Sequence, residues 1–218
     1  MSTSKPRPRL MLVTPRVVDP GALSFRLMQA FAGGDVAAVL LRLAPADDRT
    51  LTERVKQLAA PVQAQDVALV VETSSTQVVS RGGADGIHLA EGTAGIAEIR
   101  ASLRNERILG VGGLRSRHDA MDAGEAGVDY VVFGEPRPDG SLPPLPAVIE
   151  RASWWAEIFE TPCVAYAPDA ACVPALVETG AEFVALGDWV FAEDVDIRAA
   201  VAEADAAITA HMARKAAR

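Results

Sequence analysis

Four times along this 218-residue chain the same short phrase returns: a glycine, one or two small or acidic residues, then a brief apolar run. The copies are Gly34-Asp35-Val36-Ala37-Ala38-Val39-Leu40, Gly83-Ala84-Asp85-Gly86-Ile87-His88-Leu89, Gly127-Val128-Asp129-Tyr130-Val131-Val132-Phe133-Gly134 and Gly180-Ala181-Glu182-Phe183-Val184-Ala185-Leu186-Gly187. A glycine in this place ends a helix in the left-handed conformation, and an unbroken apolar run reads as a strand buried on both faces. The copies lie roughly 45 to 55 residues apart, about twice the length of one βα unit. They therefore mark every second strand. Leu10–Thr14, Val67–Glu72, Ile108–Val111 and Cys163–Ala165 fill the places between, which makes eight strands.

Helical patterns occupy the gaps. Thr50-Leu51-Thr52-Glu53 has the form of a capping box, with Leu51, Val55 and Leu58 on one face. Ile96, Ile99 and Leu103 form a second stripe, Ser116 caps a third helix, and Ile197, Val201, Ala204 and Ile208 line the last. Strict alternation of both-face-buried strands with helices requires parallel pairing. Eight such units close into a single-domain α/β fold, the (β/α)8 TIM barrel. An open doubly wound sheet is the competing architecture, but no dinucleotide fingerprint follows the first strand. The expected organisation is a disordered lead-in over residues 1–9, a barrel over 10–211 and a C-terminal tail over 212–218.

Composition narrows the function. A net charge of -8 argues against a nucleic-acid surface. Two cysteines, Cys163 and Cys172, make neither a disulfide framework nor a zinc site. The absence of a long apolar run or signal-type N-terminus predicts a cytoplasmic protein without membrane contact. The expected partner is a small-molecule ligand, with a homo-oligomer as a further option. No cofactor is expected.

In such a barrel, chemistry gathers where strands end. Those positions hold Arg16, Arg42, Glu72, His88, Glu91, Gly112, Gly113, Glu135, Arg137, Tyr166, Asp169, Asp188 and Trp189. Glu135 and His88 are the candidate acid/base pair. Arg42, Glu72, Gly112, Gly113, Arg137, Tyr166 and Asp188 are the candidate ligand-binding residues. Each also has a structural reading. Arg42 could form an ion pair with Glu72 on the next strand. His88 could be a core histidine bonded to backbone. His118 reads as solvated and His211 as part of the tail. Gly110–Gly113 is either a turn or a set of N–H groups offered to an anion. Of the adjacent Trp154 and Trp155, one should pack on the barrel and the other could meet a second subunit.

An ordered set of segments carries a resemblance. Leu12-Val13-Thr14, Val39-Leu40-Leu41-Arg42, Ala84-Asp85-Gly86-Ile87-His88-Leu89, Leu109-Gly110-Val111, Asp129-Tyr130-Val131-Val132-Phe133-Gly134 and Gly180-Ala181-Glu182 resemble the thiamine-phosphate synthase and thiazole tautomerase superfamily. The resemblance runs from about Leu10 to Phe191 and implies a barrel for phosphorylated thiamine precursors. In the synthase a pyrimidine pyrophosphate loses pyrophosphate to magnesium and joins a thiazole phosphate. Where the superfamily places its two metal-binding aspartates, this chain has Ser74 and Thr93. Gly112 replaces a serine, Ala167-Pro168 replaces a phosphate-binding Gly-Gly, and Glu135 stands where the tautomerase branch has a histidine. Of the second-strand motif only Arg42 remains. Magnesium prefers carboxylate oxygens, so these departures predict a diverged binder of a heterocyclic or phosphorylated ligand, with acid/base chemistry at Glu135 or His88. Magnesium-dependent synthase turnover is not expected. One alternative is a non-catalytic paralogue used for binding or assembly. Another is a working synthase with magnesium on relocated ligands, Glu72 and Glu91.

Overall fold

The computed structural model describes residues 6–103 and 107–217. Eight parallel strands close into a barrel in sequence order. They are β1 (Arg9–Val13), β2 (Val36–Leu41), β3 (Ala68–Glu72), β4 (Gly86–Leu89), β5 (Ile108–Val111), β6 (Tyr130–Phe133), β7 (Cys163–Ala167) and β8 (Phe183–Leu186). The helices around them are α1 (Pro20–Phe31), α2 (Asp48–Gln63), α3 (Thr76–Gly82), α4 (Ile96–Ser102), α5 (Arg117–Glu125), α6 (Leu145–Ile158), α7 (Val173–Val177) and α8 (Ile197–Ala216). The single-domain (β/α)8 barrel expected from the repeat is the fold observed.

Strand side chains alternate between two cores because successive Cβ atoms point to opposite faces. Val39, Leu41, Leu69, Val71, Ile87, Leu109, Val131 and Leu186 point out, into the layer shared with the helices. Met11, Val13, Leu40, Val70, Tyr130, Val132, Val164, Tyr166 and Ala185 point in and fill the cylinder. The interior is thus packed, and a ligand has room only above it.

The repeated acid has a job at the floor. Asp85 accepts the N–H of Leu69 at 2.7 Å, Asp129 that of Leu109 at 2.7 Å and Glu182 that of Cys163 at 2.9 Å. Each carboxylate thereby satisfies a backbone donor near the start of the preceding strand. Asp85 and Asp129 also send their own N–H groups to the carbonyls of Leu69 and Leu109, both at 2.8 Å. The first copy differs: Asp35 receives Arg7 and Arg9 instead. Gly83, Gly127 and Gly180 are left-handed as the repeat requires, but Gly34 is not.

Three boundaries change. The expected disordered lead-in over 1–9 does not hold for its described part. Arg9 opens β1, and Arg7 is fixed by ion pairs to Asp35 and to Asp205 of α8. Residues 1–5 lie outside the described residues. The expected tail over 212–218 is helix through Ala216, so His211 sits within α8, 4.0 Å from Glu178. The capping box at Thr50 gives way to Asp47, whose carboxylate accepts the N–H of Thr50 at 2.9 Å. Ser116 caps α5 as expected, and Asp119 completes a capping box with it.

Closure is tied by arginine. Arg26 of α1 donates to the carbonyls of Val190, Phe191, Ala192 and Val195, so the first helix holds the segment that follows β8. Trp155 is fully buried, with its indole N–H on the Thr161 carbonyl at 2.7 Å. Trp154 is half-buried under the guanidinium of Arg117.

Candidate active site

Strand register builds the centre of the site. His88 on β4 pairs with Gly110 on β5, and Gly110 pairs with Tyr130 on β6. All three share the inward parity. A Cβ at Gly110 would collide with the Tyr130 ring. Its absence lets the tyrosine reach across β5 and stack on His88, with ring centroids 5.8 Å apart and planes 15° from parallel. His88 is fully buried. Its Nδ1 lies 3.1 Å from the Tyr130 hydroxyl and its Nε2 3.1 Å from Glu135 Oε1. The structural reading of His88 as bonded to backbone is therefore replaced by two side-chain partners. Burial, reinforced by the carboxylates of Glu135 and Asp129, pushes the Tyr130 phenol well above its ordinary pKa.

Glu135 connects this buried chain to open space. Its Oε2 accepts the N–H of Gly113 at 3.3 Å. A side chain at Gly112 would collide with the same carboxylate, so the glycine is what gives Glu135 its place. Beyond lies a cavity of about 550 Å³. Glu91, Thr93, Gly113, Arg115, Glu135, Arg137 and Arg151 are among its polar lining. The loop after β6 closes on itself. Arg137 donates its backbone N–H to the Ser141 carbonyl and its guanidinium to the Ser141 hydroxyl, and Pro136 and Pro138 stand at the cavity wall.

The other half of the mouth forms a separate group. Arg42 donates Nε to the Thr14 carbonyl at 2.6 Å and pairs with Asp188 at 3.0 Å. Glu72 pairs with Arg16 at 2.8 Å. The Arg42–Glu72 pair is thus corrected: Arg42 reaches Asp188, just after β8, and Glu72 is taken by Arg16, in the loop after β1. Nor does Glu135 sit against Arg42 and Glu72; its contacts are His88 and Gly113. Tyr166 packs against Gly187, and its phenol is pushed up to about 12 by burial and by Asp188. Asp169 caps the turn at Ala170–Cys172, and the indole of Trp189 donates to the Ala167 carbonyl.

The residues do not fit the magnesium that the superfamily implies. Ser74 and Thr93 are neutral hydroxyls, and a hard cation in such a site is ordinarily held by one or two carboxylates plus substrate phosphates. Glu72 is engaged by Arg16, and Glu135 by His88 and Gly113. Among the described residues no group of three or more His, Cys, Asp or Glu is gathered to hold a metal.

Sequence reasoning missed Tyr130, Arg115 and Arg151. Tyr130 shares the inward parity of Val132, and a glycine on the neighbouring strand is the signal that a large ring crosses there. Arg115 and Arg151 belong to the segment before α5 and to α6, away from any strand end.

Fold and site together define a (β/α)8 barrel with a small-molecule-sized cavity at the carboxyl ends of its strands. The family model described as thiamine monophosphate synthase matches residues 10–189. The thiamine-phosphate synthase of Rhodospirillum centenum is 39% identical over 197 residues, covering 89% of this chain and 95% of that protein. The corresponding protein of Erythrobacter litoralis is 37% identical, covering 85% and 89%. A thiamine phosphate pyrophosphorylase from Pyrococcus furiosus shares the fold, with a TM-score of 0.76, 24% identity, and coverage of 94% of this chain and 96% of that one. The chain belongs to the thiamine monophosphate synthase family. Among the described residues no helix is long and apolar enough to cross a membrane.

Proposed function

We propose that this barrel carries out the joining reaction for which its relatives are named. A pyrimidine held on a diphosphate and a thiazole phosphate give thiamine phosphate, with loss of pyrophosphate. This ranks the synthase alternative above the diverged binder that the missing aspartates predicted. The observation that carries it is the span of the likeness: 39% identity across 95% of a protein so named. The cavity supports it in size and in the guanidinium groups it carries, with the carboxylates of Glu91, Asp119 and Glu135 on the same lining. A volume of about 550 Å³ suits a small molecule. Arg115, Arg137 and Arg151 offer positive groups to a departing diphosphate. Because the metal positions do not fit magnesium, neutralisation in this reading falls to the chain's own donors. The test is formation of thiamine phosphate from the two substrates, with added magnesium and with chelator. Product with chelator supports the reading, and Arg151→Ala should then cost about 10²–10³-fold; product only with magnesium returns the neutralisation to a metal on the relocated ligands Glu72 and Glu91. No product in both sinks it.

One observation favours a second reading. The Tyr130–His88–Glu135 chain ends at the cavity, as an acid/base group should, so the barrel could instead bind a heterocyclic or phosphorylated ligand and move a proton with Glu135. Glu135→Gln then removes about 10²–10⁴-fold of proton exchange into the ligand. A joining reaction that needs no proton from Glu135 is far less affected. Thermal melts with a panel of heterocycles and their phosphates identify the ligand, since native-state binding raises stability. A panel without any shift leaves the non-catalytic paralogue.

A further inference from the structure

We infer that Tyr130 is a positioning residue: its hydroxyl fixes the proton of His88 on Nε2 and so presents Glu135 to the cavity as a hydrogen-bond acceptor. The use of that carboxylate in chemistry rests on the acid/base reading proposed above. The tautomer does not.

A neutral imidazole has one donor and one acceptor nitrogen. Each nitrogen of His88 faces a single partner, Tyr130 at Nδ1 and Glu135 at Nε2. With the proton on Nδ1, the ring donates to the phenol oxygen. The phenol O–H then has no acceptor, because Nδ1 of His88 is its only hydrogen-bond partner among the described residues. The Nε2 lone pair would also face the carboxylate oxygen at 3.1 Å, with no proton between them. One buried donor left unmet costs about 1–3 kcal/mol. A doubly protonated ring leaves the phenol proton stranded in the same way. With the proton on Nε2, every group is satisfied. The phenol donates to Nδ1, Nε2–H donates to Glu135 Oε1, and Gly113 N–H donates to Oε2. The phenol is also held in its protonated form by burial. Both oxygens of Glu135 thus receive donors from the protein. A ligand meets it as an acceptor and needs an N–H or O–H to offer.

Gly110 is the condition for this arrangement. It lies between His88 and Tyr130 in register, and the tyrosine reaches the imidazole only through the space it leaves. Phenylalanine fills that space as well as tyrosine does, so Tyr130→Phe removes the hydroxyl and keeps the packing.

The experiment is two-bond 1H–15N correlation of the imidazole nitrogens in the full chain at neutral pH. The chain has three histidines, and His118→Ala and His211→Ala variants assign the His88 signals by elimination. The wild type should show His88 as a single Nε2–H form. Tyr130→Phe should show both tautomers in exchange, with the two nitrogen shifts drawn together. Glu135→Gln, with Tyr130 still donating, should keep the Nε2–H form. An Nδ1–H or doubly protonated ring in the wild type overturns the inference. So does a Tyr130→Phe spectrum identical to wild type. If that variant does not fold, Glu135→Gln decides, because a switch to Nδ1–H there would make the carboxylate the selecting group. The readout needs no turnover, so a wild-type Nε2–H ring in a protein that exchanges no protons with any heterocycle supports this inference while counting against the acid/base reading.

Discussion

At the floor of the barrel Asp85, Asp129 and Glu182 each accept the N–H of the preceding strand. At the mouth, His88, Arg42 and Glu72 each take a different kind of partner: a phenol and a carboxylate, a carbonyl and a carboxylate, a guanidinium from the loop after β1. The floor has one problem repeated, a buried backbone donor near the starts of β3, β5 and β7, so one solution recurs. At the mouth each of these side chains meets a different neighbour, so no solution recurs. Substitutions at the floor should therefore cost stability and spare the site. Substitutions at the mouth should do the reverse unless they disturb packing.

The sharpest test of this contrast is Asp85→Ala. It strips the acceptor from Leu69 and from the side chain of Gln63. A charge-assisted bond lost at a buried strand should cost about 2–3 kcal/mol. For a domain of this size that lowers Tm by about 4–12 °C, read by calorimetry, while ligand-induced shifts in the melt stay as in the wild type. Equal loss of both would end the distinction between the two ends. Gly112→Ser asks whether a mouth residue can carry stability. The new side chain meets the Glu135 carboxylate, and the strain should cost about 1–3 kcal/mol. Glu135→Ala in the same chain should recover most of it in a double-mutant cycle.

A smaller effect comes with alkali. The chain has two tyrosines, Tyr130 and Tyr166, and both are buried with raised pKa. A phenol whose folded pKa lies above its unfolded value stabilises the fold fully below about 10. That contribution fades as pH rises, for Tyr166 toward about 12. Tyrosinate absorbance should stay absent in the folded chain near pH 10.5 and appear together with unfolding. Early ionisation of one tyrosine would place it at the surface. The smallest effect belongs to His118, which is exposed on α5 near Asp122. His118→Ala should change stability by no more than about 0.5 kcal/mol in urea titration.

How far the sequence could be read follows the same division. The eight strands were legible because Gly83, Gly127 and Gly180 end helices in a conformation that favours glycine, and the apolar runs after them need burial on both sides. The acids in those copies were visible, but their work was not, since it depends on which strand lies alongside. Glu135 and His88 were found as neighbours because both sit at strand ends. Tyr130 stayed hidden for want of register: nothing in the run from Asp129 to Gly134 says that Gly110 lies across from it. Arg42 was paired with the wrong acid for a related reason. Its partner Asp188 follows β8, on the far side of β1, and sequence order alone does not bring the two together. Thr50 failed as a cap because Asp47, three residues earlier, accepts its N–H.

The pairing of β1 with β8, and the grip of Arg26 on the segment from Val190 to Val195, have a consequence for a chain on the ribosome. The first strand to emerge is the last to find its second neighbour. Until Phe183–Leu186 has been made, the Arg9–Val13 edge stays bare, open to pairing with other chains. Synthesis that stops short of β8 leaves a curved, sticky sheet, with Arg7 still to meet Asp205 and Arg26 still to meet the carbonyls of Val190 to Val195.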